Sequence, residues 1–262
     1  MHPRHWSGGA MQAGEYQTMR NVEGTHWWYR TLRAMVLRET TARVPEDAVV
    51  LDAGCGTGGM MQVMREARPR WQVQGIDFSP HAIEHTQARG FKSARIARVD
   101  DMPLVASGTF DGVVSLDVLY FRGVDRERAV AEFHRVLRPG GVLVMNLPAF
   151  ECLRGSHDVA VATEKRFTRA EVAALLRTAG FEIESVRFWN AWLFLPVLFW
   201  RRASRFAVRA KPEETASDLT MPPRVVNELL AACACLDARV CKLLRVPFGT
   251  SVFSVARKKK AG

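Results

Sequence analysis

The residues VVLDAGCGTGG, from Val49 to Gly59, combine a short apolar run, a carboxylate and four glycines. Glycines let a backbone turn sharply and approach a ligand without Cβ clashes. Backbone N–H groups at the start of the following helix would face that ligand. The spacing Gly54-x-Gly56-x-x-Gly59 satisfies the dinucleotide fingerprint, and Asp77 stands where an acid would receive ribose hydroxyls. The chemistry indicated is the holding of a nucleotide-like cofactor at the carboxyl end of a strand. Asp52 argues against a pyrophosphate there, because a carboxylate inside the turn suits an amine and repels a phosphate. No second glycine-rich turn follows for a second nucleotide half.

The elements that must position these residues follow from pattern. Val49–Leu51 is uniformly apolar and β-branched at its start, as in a strand buried on both faces of a parallel sheet. Further strands are predicted at Trp71–Asp77, Ser93–Val99, Phe110–Leu116, Val142–Leu147, Phe181–Phe188 and Ser251–Arg257. Helices are predicted between them at Met60–Ala67, Pro80–Arg89 and Arg126–Leu137, with another opened by the capping box Thr168-Arg169-Ala170-Glu171. The fold class is therefore α/β: a doubly wound, seven-stranded, mostly parallel sheet. It carries an N-terminal helical segment and a helical insertion before the last strand. The expected divisions are an N-terminal extension and helix (1–44), a cofactor-binding core (45–190), a helical insertion (191–249) and a final strand with a basic tail (250–262). Residues up to about Val22 read as polar and irregular. In the insertion, Val226, Leu229, Leu230, Cys233, Leu236, Val240, Leu243 and Leu244 recur at helical spacing and predict a helix, on which Cys233 and Cys241 are expected to pack.

Composition narrows the classes. The chain has 262 residues, a net charge of +10 and five cysteines. No Cys-x-x-Cys pair or zinc spacing occurs, so no metal site is expected. The N-terminal residues contain no apolar secretory core, and a reduced, cytoplasmic protein is expected. The positive charge suits anionic membranes, substrates or nucleic acid, but no compact nucleic-acid module is found, and nucleic acid is not expected as a partner.

Taken together and in order, LDAGCGTGG, GIDFSP, FDGVVSLDVLY and FHRVLRPGGVLVMNLP resemble the Rossmann-like (class I) S-adenosylmethionine-dependent methyltransferases. The resemblance covers roughly Val49 to Pro148 and the strands at Phe181 and Ser251. It implies S-adenosylmethionine as cofactor, with Gly54, Cys55 and Gly56 along its methionine end and Asp52 near its amino group. It implies that Asp77 receives the ribose hydroxyls, that Phe78 lies beside the adenine, and that Leu116 and Asp117 flank the sulfonium and the substrate mouth. The family usually places an acid or serine before a Leu-Pro step to meet the adenine amine. Here Arg98 occupies that position, which leaves Asp100 or the backbone around Val99 for this contact.

Methyl transfer to a hydroxyl or acidic carbon needs alignment and removal of a proton. Bases are sought on loops beyond the strand ends. His157, with Asp158 beside it, is the first candidate because histidine titrates near neutral pH. Tyr120, just past the fourth strand, is placed to orient substrate, and His26 in the aromatic run HWWYR is a third candidate. Arg154 and Arg166 flank the same loop as His157, where they would hold an anionic head group of the acceptor. The apolar run Trp189–Trp200, followed by Arg201, Arg202, Arg205 and Arg209, is too short to span a bilayer. It suits a lid, an interfacial membrane helix or a homodimer surface. The expected activity is methyl transfer to oxygen or carbon of a small, hydrophobic or lipid-linked acceptor, with peripheral contact at the inner membrane. The alternatives are a natural-product methyltransferase in which the insertion is a lid or dimer face, and a noncatalytic cofactor-binding scaffold.

Overall fold

A computed structural model describes residues 13–155, 158, 162–207 and 221–260. Its centre is a seven-stranded sheet in the order β3-β2-β1-β4-β5-β7-β6. The strands are β1 (Val49–Ala53), β2 (Gln72–Asp77), β3 (Arg95–Ile96), β4 (Phe110–Leu116), β5 (Leu137–Pro148), β6 (Phe181–Trp189) and β7 (Ser251–Lys258). Only β7 runs against its neighbours, pairing antiparallel with both β5 and β6. The predicted architecture is borne out.

Helices α1 (Ala13–Val22), α2 (Trp27–Thr41), α3 (Gly59–Ala67), α4 (Pro80–Ala88), α5 (Arg126–Val136) and α6 (Arg169–Thr178) flank the sheet. Helices α7 (Phe194–Ala207) and α8 (Arg224–Leu244) lie between β6 and β7. β1 earns its central place by composition: Val50, Leu51 and Ala53 are buried on opposite faces, in two separate core clusters. The strand order reverses between β1 and β4, and such a reversal opens a crevice beyond the carboxyl ends of the strands.

Three local expectations are corrected. Residues 13–22 form a helix rather than irregular chain, and its Tyr16 and Val22 are buried; residues 1–12 lie outside the described part. The third strand shrinks from Ser93–Val99 to Arg95–Ile96, because only Ile76 and Asp77 are left to pair with it at the sheet edge.

The third correction concerns α8. Its buried residues are Asn227, Ala231, Ala234, Ala238 and Cys241, while Cys233 and the large residues Val226, Leu229, Leu236, Val240, Leu243 and Leu244 face solvent. Small side chains let α8 lie close to α2. Asn227 then accepts the Trp27 N–H at 2.9 Å and donates to the Thr25 carbonyl at 3.0 Å. The apolar periodicity was real, but the face that packs is the small one beside it.

Candidate active site

At the end of β1 the chain turns back on β2. The Gly54 and Cys55 N–H groups both donate to the Ile76 carbonyl, at 2.8 and 2.9 Å. Gly54 has φ +89°, and a Cβ there would lie 2.2 Å from Val118 Cγ2. Asp77, at the end of β2, fixes the turn by accepting the Gly56 N–H and the Ser79 N–H, each at 2.9 Å. No side chain caps α3, whose N-cap is Gly58. Gly59 and Met60 of its first turn line the crevice, where an uncapped helix start suits an anion or dipole.

Behind the turn sits a buried ion cluster that sequence reasoning missed. The Glu23 carboxylate accepts hydrogen bonds from Arg33, Thr57 Oγ1 and, at 2.6 Å, Arg89. Arg89 also donates to the Thr57 carbonyl at 2.7 Å. A Cβ on Gly59 would fall on the Arg33–Glu23 contact, so Gly59 gives the room in which these charges meet. The cluster ties the α1–α2 junction to the glycine turn. Charged residues dispersed over Glu23, Arg33 and Arg89 carry no sequence signal that they will converge.

One cavity of about 470 Å³ runs from this turn across the ends of β4, β5 and β6. Tyr16, Met19, Asp52, Gly54, Cys55, Gly56, Asp77, Phe78, Val99 and Asp100 line one end of it. Two carboxyls there are displaced from their ordinary range. Burial pushes Asp52 up to about 7, with Arg33 opposing and Asp77 and Glu23 adding to the rise. Burial pushes Asp77 up to about 6 against the backbone donors of Ser79, Gly56 and Phe78. Asp52 Oδ2 is buried and has no hydrogen-bond partner. An ammonium group would satisfy that oxygen and favour its ionised form, so the residues present fit the amino-acid end of S-adenosylmethionine.

Asp100 is already engaged. Arg98 donates to both of its oxygens, at 2.8 and 2.7 Å, and the Asp125 N–H donates at 2.9 Å. Burial acts most strongly and would raise its pKa, but the Arg98 hydrogen bond, the Asp125 N–H and the Arg98 charge together outweigh burial and lower it. The same pair explains the arginine at position 98: it braces the loop that leads to α5.

The other end of the cavity is lined by His26, Trp28, Tyr29, Leu116, Asp117, Tyr120, Leu153, Arg166, Asn190, Leu193, Val197 and Arg201. Asp117 has φ +55° immediately after β4. Asn146 Nδ2 donates to both of its oxygens at 3.1 and 3.0 Å, and Trp189 Nε1 in turn donates to Asn146 Oδ1 at 2.8 Å. Burial pushes the Asp117 carboxyl up to about 7, with Asn146 and Arg166 opposing. Burial lifts the Tyr120 hydroxyl well above its usual range, so it stays protonated and can donate.

His26 lines the cavity but caps α2, its Nδ1 accepting the Trp28 N–H at 3.3 Å. Burial lowers its pKa. His157 lies outside the described residues. Its neighbour Asp158 accepts from Arg166 at 2.9 and 3.1 Å. Arg154 donates to both Glu151 oxygens at 2.8 and 3.0 Å. Neither arginine stands as the bare anion-holding group that the sequence suggested. Among the described residues, no group of histidine, cysteine and acidic side chains could hold a metal.

A fold that opens its crevice at the strand reversal, with an unpaired acid at a glycine turn, defines a binder of a cationic nucleoside-like ligand. Residues 51–145 match the methyltransferase domain family. The chain is 30% identical over 187 residues to the ubiquinone biosynthesis O-methyltransferase of Xanthomonas oryzae pv. oryzae, covering 63% of this chain and 72% of that one. It is 29% identical over 171 residues to a probable S-adenosylmethionine-dependent methyltransferase of Mycolicibacterium smegmatis, covering 64% of each. The structure resembles Haemonchus contortus phosphoethanolamine N-methyltransferase 2 in complex with S-adenosyl-L-methionine. That likeness has a TM-score of 0.64 at 16% identity and covers 95% of this chain and 58% of that one. The chain belongs to the class I S-adenosylmethionine-dependent methyltransferases.

Proposed function

We propose that the protein transfers a methyl group from S-adenosylmethionine to an oxygen, or an acidic carbon, of a small hydrophobic acceptor. The observation that carries this is the single cavity that joins the glycine turn to a chamber walled by Trp28, Tyr29, Leu153, Leu193 and Val197. The cofactor supplies an electrophilic methyl group on a sulfonium. Asp52 meets its ammonium, Asp77 its ribose hydroxyls, Gly54, Cys55 and Gly56 its methionine backbone, and Phe78 and Val99 its adenine. Asp77 has two acceptor oxygens, which match two vicinal donors. Leu116 lies beside the reacting centre.

In the acceptor chamber, Asp117 is placed to receive the proton of the incoming hydroxyl. Asn146 fixes the carboxylate in orientation, and a carboxyl near neutrality suits a base working near neutral pH. Tyr120 donates a hydrogen bond that orients the acceptor. Likeness to ubiquinone biosynthesis O-methyltransferases supports oxygen as the methylated atom. The test is a panel of alkyl-substituted phenols and catechols incubated with methyl-labelled cofactor. Label is expected on the phenolic oxygen. A protein that binds the cofactor tightly but labels no member of the panel overturns the reading of the acceptor.

The exposed face of α7 and α8 is read as a contact with an anionic bilayer. Phe199 and Trp200 of α7 are 67% and 68% exposed, and Leu229 and Leu243 of α8 are exposed too. Arg202 of α7, Arg239 of α8 and Arg245 just past α8 are exposed as well, the pairing of apolar and basic groups that favours anionic headgroups. Val197 and Arg201 of α7 line the acceptor chamber, on the side away from Phe199. Among the described residues no helix is long and apolar enough to cross a membrane. Flotation with anionic vesicles tests the contact. Protein that stays at the bottom of the gradient refutes it, and a dimer by sedimentation would assign the face to a second copy.

A further inference from the structure

Asn190 occupies an unusual position at the far end of the acceptor chamber. It follows β6 directly, is 1% exposed and lines the cavity. Both its Oδ1 and its Nδ2 are buried without a hydrogen-bond partner. Buried polar groups are almost always paired, and an unpaired amide costs its full desolvation.

An asparagine before a helical turn ordinarily spends its side chain capping the next N–H groups. Here that work is done from another element. Asp237 of α8 accepts the Ala191 and Trp192 N–H groups at 2.9 and 3.2 Å. The carboxamide is thus released from its local role, in a residue that lines the cavity. The backbone at Asn190 has φ +55° and ψ +43°, which asparagine tolerates and glycine tolerates better. Conformation alone therefore does not call for a carboxamide.

We propose that Asn190 anchors a second, uncharged polar group of the acceptor, remote from the atom that is methylated. This rests on reading the chamber as the acceptor site. A carboxamide with one unpaired donor and one unpaired acceptor matches a group that both accepts and donates, such as a hydroxyl or another amide. A carboxylate would leave Oδ1 unpaired, and an ammonium would leave Nδ2 unpaired. β6 lies three strand positions from β4 in the sheet, roughly 14 Å at ordinary strand spacing. The acceptor is therefore a molecule with two oxygen- or nitrogen-bearing ends joined by an apolar span that rests on Leu193 and Val197.

The experiment uses the full chain loaded with S-adenosylhomocysteine and two probes. One is a phenol carrying a six-carbon chain that ends in a hydroxyl; the other is the same phenol with the chain ending in methyl. Calorimetry on the wild type is expected to show at least about tenfold preference for the hydroxyl-ended probe, as sites built to hydrogen-bond reject analogues lacking the group. Asn190→Gly keeps the backbone conformation and removes only the carboxamide. It should bind both probes alike and bind S-adenosylhomocysteine as the wild type does. A variant that retains the preference overturns the proposal, since Asn190 then serves its backbone alone. A wild type that binds neither probe, or does not distinguish them, also overturns it. Failure to label any phenol in the transfer assay, with the probe preference intact, would instead count against the methylated atom.

Discussion

The two ends of the cavity are built by different means. The turn that holds the cofactor end is a local construction. The glycine turn, Asp77 and the start of α3 lie close in sequence, and their backbone groups satisfy one another through Gly54, Cys55, Gly56 and Ser79. The acceptor end is assembled from α2, the ends of β4 to β6 and α7, and it leaves the Asn190 carboxamide unpaired. Where a ligand is invariant, the chain can pre-form nearly every contact. Where acceptors differ between related enzymes, the site is composed of side chains from separate elements, each changeable without disturbing the turn.

The comparison breaks most readily at the ion cluster that props the cofactor end. Glu23→Ala would leave the buried Arg33 and the half-buried Arg89 without their shared carboxylate. A stability loss of about 3–5 kcal/mol is expected, read as a lower midpoint in denaturant unfolding; an unchanged midpoint would show that the cluster is dispensable. At the acceptor end, Asp117→Asn should keep the Asn146 contact to its oxygen while removing the proton acceptor. Turnover is expected to fall by about 10²–10⁴-fold, with cofactor affinity by calorimetry nearly unchanged. Full activity would remove Asp117 as the base.

Asp77→Ala affects the cofactor end alone. Loss of hydrogen bonds to a charged group is expected to weaken cofactor binding by about 1.5–3 kcal/mol. Equal affinity in the variant would mean that the ribose is held elsewhere.

A gentler probe is pH. Asp52 and Asp77 are raised by burial from 3.8 to about 7 and about 6, so below pH 6 both carry protons in the free protein. A cationic ligand is held best by the ionised forms, so cofactor affinity should rise as pH increases from 5.5 to about 7.5 and then level. The linkage to folding has the opposite sign. Between pH 4 and 7 the folded state keeps protons that the unfolded chain has released, so the ligand-free protein loses stability as pH rises through that window. Cofactor should therefore raise the melting temperature more at pH 8 than at pH 5.5, and an equal shift at both would contradict ionisation of these acids on binding. The smallest effect on the fold is expected at the surface: Trp200→Ser should change stability by no more than about 0.5 kcal/mol while abolishing vesicle flotation.

What could be read without the structure was whatever depends on near neighbours in the chain. The apolar run into Gly54, the acid at the end of β2 and the alternation of strands and helices place a nucleotide-like cofactor on a doubly wound sheet, and the resemblance of the ordered motifs to a family implied the methyl donor. Turn geometry and strand burial are dictated over a few residues, so type and spacing suffice. The ring of partners around Glu23, the Trp189–Asn146–Asp117 chain and the release of the Asn190 carboxamide by Asp237 join residues far apart in sequence. Each involves polar side chains whose partners are chosen by packing, and no periodicity marks them. α8 shows the limit most plainly. Its large apolar residues form a regular face, yet Ala231, Ala234 and Ala238 are what meet the protein. Hydrophobic spacing establishes that a helix has two sides; only the space left beside α2 decides which of them is buried.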